Sequence, residues 1–588
     1  MDENKITYFA ETDARNKKIA FGIKAKDRTR HVYVIGKTGM GKSTLLENMA
    51  VQDIKNGEGM AFIDPHGKTA DLLLEYIPEE RIKDVVYFAP FDMEYPISFN
   101  VLESVDPDKR HLVVSGLMST FKKIWQDAWS ARMEYILTNT LLALLEYPEA
   151  TLLGVNRMLS DKEFRKKVIS HVTDPSVKTF WVDEFANYTE RMAAEAVPAI
   201  QNKIGQFTAN ALIRNMIGQP KSSFDIRKLM DERKIMIINL SKGRIGETNA
   251  NLLGGMLITK VYLAALSRAD VPDRVLKGLP NFYLFVDEFQ SFANESFADI
   301  LSEARKYKLN LTMAHQYIEQ MEEEVRAAVF GNVGTMIVFR VGAYDAEVLE
   351  KEFAPEFTAE DIVNLGFAQI YLKLMIDGIS SHPFSATTLP PIAQLEHTNA
   401  NKVIEVSRQQ FAHDRATVEK NIAEWHAPII SMHKAPIRND HKIEHRTEHK
   451  NENKIESKPE HRLEHKPENK VETKIEPKME NNKVEHIKPI PLVNLSHNSH
   501  SHPHITHVNN NLKDATPEKV NELRNALASV LGKKSEKREE IEKPNIDIQK
   551  KENIQNTHNR QNMQRIEDKD NSIKEVSSEI LKNVLKVD

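Results

Sequence analysis

The stretch HVYVIGKTGMGKST, residues 31–44, decides the fold. Its first half is a short continuous apolar run, the pattern of a strand buried on both faces of a parallel sheet. Its second half is G-x-x-x-x-G-K-[ST], carried by Gly36, Gly41, Lys42 and Ser43. Glycines at these positions let the chain turn sharply and aim successive backbone N–H groups at phosphate oxygens. A helix starting at Ser43 adds its N-terminal dipole to that cradle. The reading is a nucleotide-binding loop formed by Gly36, Lys37, Thr38, Gly39, Met40, Gly41, Lys42, Ser43 and Thr44. Lys42 is expected to reach the β- and γ-phosphates of ATP and the Ser43 hydroxyl to ligate Mg2+.

Working outward, further apolar runs bounded by turn residues occur at 59–64, 85–90, 235–240, 282–288, 309–314, 335–340 and 369–375. Amphipathic helical patterns alternate with them, which predicts an α/β doubly wound fold. The core is expected in two parts, residues 1–105 with the phosphate loop and residues 231–395. No convincing strand lies between them, and 106–230 reads as an all-helical inserted domain. Residues 396–430 read as one C-terminal helix. Residues 431–514 are an imperfect Glu-His/Lys-Pro repeat interrupted by Pro459, Pro467 and Pro477. With almost nothing apolar to bury, this linker is expected to stay disordered. A short helix over 515–532, with Val520, Leu523, Leu527 and Leu531 on one face, follows it. A disordered tail, 533–588, ends in a short amphipathic helix carrying Ile573, Val576, Ile580 and Val584.

The run NFYLFVDEFQ supplies the next chemistry. An apolar strand ends in Asp287 and Glu288. A carboxylate there can hold the Mg2+ shell, and the next can orient and activate water against the γ-phosphate. Asp287 fits the first role and Glu288 the second. The run at 309–314 exits into Gln316, at the strand end where ligands of open α/β sheets sit. A side-chain amide there can contact the γ-phosphate or the attacking water, although a strand-end turn residue accounts for the same letter. Arg305 lies one element earlier, at the opposite end of that strand. It reads either as an ordinary surface arginine in EARKYK or as a guanidinium supplied in trans to a neighbour's nucleotide site.

Residues 15–395 resemble the HerA/FtsK superfamily of ring-forming ATPases, and within it the coupling-protein ATPases of conjugation and type IV secretion, the TraD/TraG type. The motifs are RHVYVIGKTGMGKSTLL (30–46), FIDPHGK (62–68), FDIRKLMDERKIMIINLSKGRIGE (224–247), FVDEFQSFA (285–293) and MAHQY (313–317). The resemblance implies a RecA-like motor, a helical insert, a hexameric ring, and DNA passing through its pore. Gln316 and Arg305 fall at the family's positions. FIDPHGK matches its Asp-Pro-His-Gly stretch, which places Asp64 and His66 near the nucleotide; a tight Pro-His-Gly turn explains the same residues equally. Arg132 resembles the start of an insert helix and receives no role.

The chain has no cysteine and a net charge of −5. Disulfides and thiolate metal sites are excluded, and a uniformly basic nucleic-acid coat is not what this charge describes. No run of eighteen apolar residues suggests a membrane span. Coupling proteins usually begin with transmembrane helices, whereas this sequence begins almost at the motor. The expectation is a cytoplasmic protein recruited to the inner face of the membrane by a relaxase or secretion-channel partner, with the C-terminal helices as a tether. Two other functions fit the same motor: a HerA-like ATPase feeding DNA to a nuclease in end processing, and an ATPase moving protein without DNA.

Overall fold

The computed structural model describes residues 2–13, 17–103 and 105–427. The strands are β1 (Ile6–Glu11), β2 (Ala20–Lys24), β3 (Val32–Ile35), β4 (Gly59–Asp64), β5 (Val85–Phe88), β6 (Ile235–Asn239), β7 (Phe282–Val286), β8 (Leu309–His315), β9 (Thr335–Val338) and β10 (Gln369–Lys373). A hairpin of β11 (Met375–Ile376) and β12 (Ile379–Ser380) stands apart, and β13 (Phe384–Thr388) closes the series. Eleven strands form one sheet in the order β2-β1-β13-β10-β9-β3-β8-β7-β4-β6-β5. From β9 to β5 every pairing is parallel. From β9 outward to β2 every pairing is antiparallel.

All eight apolar runs are strands. Seven are parallel, and six of these, β3, β4, β6, β7, β8 and β9, are buried along their whole length. The eighth, β10, alternates buried and half-exposed positions because it opens the antiparallel flank. That flank is not legible locally: β1, β2 and β13 are mixed in polarity, and the two local pairings β1–β2 and β10–β13 join the sheet only where β1 meets β13, about 380 residues on. This is the RecA-like α/β fold, with the phosphate loop leaving the strand near the middle of the sheet.

Each face of the sheet carries its own core. One holds Val34, Leu46, Met49, Phe62, Phe285 and Ile337, with the helix Lys42–Lys55 against them. The other holds Tyr33, Ile63, Val86, Ile238 and Leu284. Between β5 and β6 the described residues form helices, from Arg110–Ile124 to Ile226–Asp231. Their apolar side chains, among them Met133, Leu141, Val155, Trp181 and Met216, belong to the same continuous core as the second face. The joint is the crossing of Arg110–Ile124 with Glu247–Leu266, and it requires glycine. A Cβ on Gly116 would stand 2.4 Å from Thr259 Cγ2, and one on Gly255 would stand 2.7 Å from Thr120 Cγ2.

The helix Glu247–Leu266 continues as a 3-10 turn to Asp270, and together they are long and apolar enough to cross a membrane by composition. Of its 18-residue apolar window, 61% is buried within the protein. Layers on both sides require an apolar surface nearly all round.

The single C-terminal helix expected over 396–430 is instead two, Ala400–Phe411 and Arg415–His426. Ala412 is extended and bridges to Ile97, and the Asp414 carboxylate accepts the Thr417 N–H at 2.9 Å, starting a new helix. A tertiary pairing and an N-cap together override a continuous helical pattern. The linker, the 515–532 helix and the terminal amphipathic helix lie outside the described residues.

Candidate nucleotide site at the carboxyl edge of the sheet

The phosphate loop leaves β3 at its carboxyl end. Gly41 has φ +113°, a conformation that side chains rarely adopt, and it caps the helix Lys42–Lys55. The buried Lys42 ammonium donates to the Gly36 carbonyl at 2.6 Å and the Lys37 carbonyl at 3.2 Å. Burial lowers its pKa, against the opposing pull of Glu288 and Asp287.

Two strands away, β7 delivers its carboxylates to the same edge. The Ser43 hydroxyl donates to Asp287 Oδ2 at 3.1 Å. A hydroxyl and a carboxylate so placed are a hard-oxygen donor pair of the kind Mg2+ takes, so the residues present fit that ion. Burial raises the Asp287 pKa to about 6, reinforced by Glu288 and Asp64. The Glu288 N–H donates to Asp287 Oδ1 at 2.9 Å. Glu288 itself sits in the left-handed region, φ +48° and ψ 49°, although it is not glycine. Such a conformation costs free energy and persists only where its surroundings impose it.

Between them, β8 ends in His315 and then Gln316. The Gln316 amide spans the site: its Nε2 donates to Glu288 Oε1, and its Oε1 accepts from the Thr38 hydroxyl at 3.1 Å. The other Glu288 oxygen accepts from Gln290 Nε2. His315 is fully buried, with Nδ1 2.9 Å from the Tyr33 hydroxyl. Burial lowers its pKa to about 3, helped by Lys123 and Lys42, so this ring is neutral.

Ser43, Lys42, Asp287, Glu288, Gln316 and Thr38 are thus brought together from segments up to about 280 residues apart. Asp64 is buried beside them and accepts the backbone N–H of His66 at 2.8 Å and of Ala70 at 2.9 Å. It holds the turn that opens the helix Lys68–Glu75. His66 is half-exposed, with Nε2 3.9 Å from Glu288 Oε1. Arg305 is not in this group: it is exposed in a 3-10 turn before β8, at the other edge of the sheet.

Sequence reasoning missed two contributors. Gln290 was visible only as a polar letter after Asp-Glu. Lys123 gave no signal; it projects from the helix Arg110–Ile124 and donates to the carbonyls of Gln290, at 2.7 Å, and Ala293. Burial lowers its pKa to about 8. Beside Glu288 and Gln316, these residues, with Lys242, Asn251 and Asn294, line an open cleft of about 590 Å³.

Fold and loop together define a RecA-like P-loop α/β protein. The chain belongs to the family described as the type IV secretion-system coupling protein DNA-binding domain, whose model matches residues 18–366, more than half of its length. It is similar to the bacterial conjugative coupling protein TrwBdeltaN70 in an unbound monoclinic form, with 15% identity over 67% of this chain and 96% of that one, at a TM-score of 0.48. It is also similar to the plasmid coupling protein TrwB in complex with ADP and Mg2+, with 15% identity over 65% and 89% and a TM-score of 0.48. VirB4 of Thermoanaerobacter pseudethanolicus aligns at 14% identity over 61% and 89%, with a TM-score of 0.42. Comparison with curated proteins gives no match.

Proposed function

We propose that this chain is an ATP-hydrolysing motor that moves DNA, working as a hexameric ring in conjugative transfer or type IV secretion. The observation that carries the ATP-hydrolysing part of the reading is the Ser43–Asp287 contact at 3.1 Å with Glu288 immediately beside it, and the match to the coupling-protein DNA-binding family supports the DNA part. Those groups are needed together only where a nucleotide's phosphates are bound and cleaved.

In this reading the loop N–H groups and Lys42 bind the β- and γ-phosphates, and Ser43 and Asp287 hold Mg2+. Bound there, Mg2+ would neutralise phosphate charge as bond breaking proceeds. Glu288, held in its left-handed turn and by Gln290, accepts a proton from the attacking water. Gln316 contacts both Thr38 in the phosphate loop and Glu288, so loss of the γ-phosphate changes the balance of its two hydrogen bonds. That balance is a local signal that β8 can carry. Lys123 ties the loop following Glu288 to the helical segment, so catalytic-loop movements are transmitted there. Arg305 is the guanidinium a neighbouring subunit inserts into the next site, where it stabilises the transferring phosphoryl group.

The test is hydrolysis with and without DNA. DNA is expected to stimulate ATP turnover, with a steep loss on adding salt as phosphate contacts are screened. Hydrolysis indifferent to DNA at low salt would point to a protein substrate and overturn the DNA assignment.

A further inference from the structure

The side of the phosphate loop facing away from Glu288 has an exposed aromatic that the motor chemistry leaves unused. In the sheet, β3 has β8 and then β7 on one flank, and β9 and then β10 on the other. The metal pair and Glu288 stand on the β7 side, so a nucleotide's γ-phosphate points there. Its ribose and base must leave the loop on the β9–β10 side.

The segment 364–368, leading into β10, lies on that flank and is fastened to the phosphate loop. The Ala368 N–H donates to the Met40 carbonyl at 3.3 Å. The Ala368 carbonyl accepts from the Thr388 N–H at 2.9 Å. Thr388 Oγ1 comes within 3.9 Å of where a Cβ on Gly41 would be. Ala368 has φ +61°, a left-handed backbone that alanine adopts only under constraint. Immediately before this pinned residue stands Phe367, 73% exposed and among the most exposed large apolar side chains described. The backbone beside Phe367 is pinned to the phosphate loop, and the phenyl ring it leaves in water presents a flat apolar face on which a base can stack.

We infer that Phe367 is the base platform of the nucleotide site, stacking on the base of a nucleoside triphosphate whose phosphates lie in the loop 36–44. The inference rests on the nucleotide reading above and adds a subsite to it. A ring face offers no hydrogen-bond code, so the platform selects for a base and not for one particular purine.

The experiment compares ATP with inorganic tripolyphosphate, which has the phosphates and no base, as ligands of the full chain with Mg2+. Base–aromatic stacking predicts that Phe367→Ala weakens ATP binding about 5- to 100-fold while tripolyphosphate binding is unchanged. Phe367→Trp is expected to keep wild-type ATP affinity and to show a tryptophan fluorescence change with ATP but not with tripolyphosphate. Unchanged ATP affinity in Phe367→Ala, in a preparation where Lys42→Ala loses it, overturns the platform and leaves the phosphate loop intact. Equal weakening of both ligands means a damaged loop and also overturns it. Weakened ATP binding that tracks loss of the oligomer, measured by sedimentation, assigns Phe367 to an interface between copies instead. Failure of the wild type to bind either ligand removes the nucleotide reading itself.

Discussion

Replacing Arg305 with alanine tests the ring at a single side chain. Arg305 precedes β8 and Gln316 follows it. The seven residues of β8, at about 3.3 Å each, hold the two ends about 23 Å apart. No side chain spans that length, so Arg305 does not reach the site of its own chain, and the proposed catalytic role requires a neighbour's. A phosphoryl-stabilising arginine supplied in trans is worth about 10³–10⁵ in rate, or about 4–7 kcal/mol of barrier. Arg305→Ala should therefore bind ATP as the wild type does and hydrolyse it at least about 1,000-fold more slowly. The assay is subunit mixing. Glu288→Gln has a dead site and an intact arginine; Arg305→Ala has the reverse. In an equal random mixture about one interface in four pairs a good site with a good arginine, because a head-to-tail ring makes each site from two chains. DNA-stimulated hydrolysis should then return to about a quarter of wild type if interfaces fire independently, or to less if they fire in sequence. Mixtures that demonstrably exchange subunits yet never exceed the two variants alone would refute the shared site. So would full activity of Arg305→Ala.

Glu288→Gln alone should keep ATP affinity and lose about 10²–10⁴ in turnover, measured by single-turnover hydrolysis, because the amide fills the same space without accepting a proton. Asp287 makes the Mg2+ dependence sensitive to acid. Its pKa of about 6 means that protonation competes with the metal below that pH, so the Mg2+ concentration needed for half-maximal hydrolysis should rise as pH falls through 6. Without metal the sign for stability is the opposite. Between about pH 4 and 6 the folded state keeps a proton that the unfolded state has lost, so stability falls as pH rises through that window; Asp287→Asn should be more stable than wild type at pH 7.5, by thermal melting, and the difference should close as pH falls from 6 to about 4. Far from the site, Arg28 pairs with Asp53 at 2.8 and 2.9 Å, and both are buried. Arg28→Met should cost about 3–5 kcal/mol by denaturant titration, and adding Asp53→Leu should recover most of it, since two apolar side chains leave no charge unpaired.

Local chemistry is written in the sequence. The glycines, Lys42 and Ser43 of the phosphate loop, the Asp287–Glu288 pair and the eight apolar strands are each set by neighbours a few residues away in the chain. Backbone freedom, burial and phosphate affinity act at that range and leave letters in fixed spacing. What those letters touch depends on how the strands are ordered in space. Only the strand order puts Ser43 against Asp287 across 244 residues, and Thr38 against Gln316 across 278. Pairing along the sheet edge joins β1, β2 and β13 to the sheet, and the bridge from Ile97 acts with the Asp414 cap to split the C-terminal helix. The same holds for Lys123, an ordinary lysine on a helix until the crossing at Gly116 and Gly255 carries it to the loop after Glu288. These contacts are selected by how much surface the whole chain buries, and that quantity has no period along the sequence.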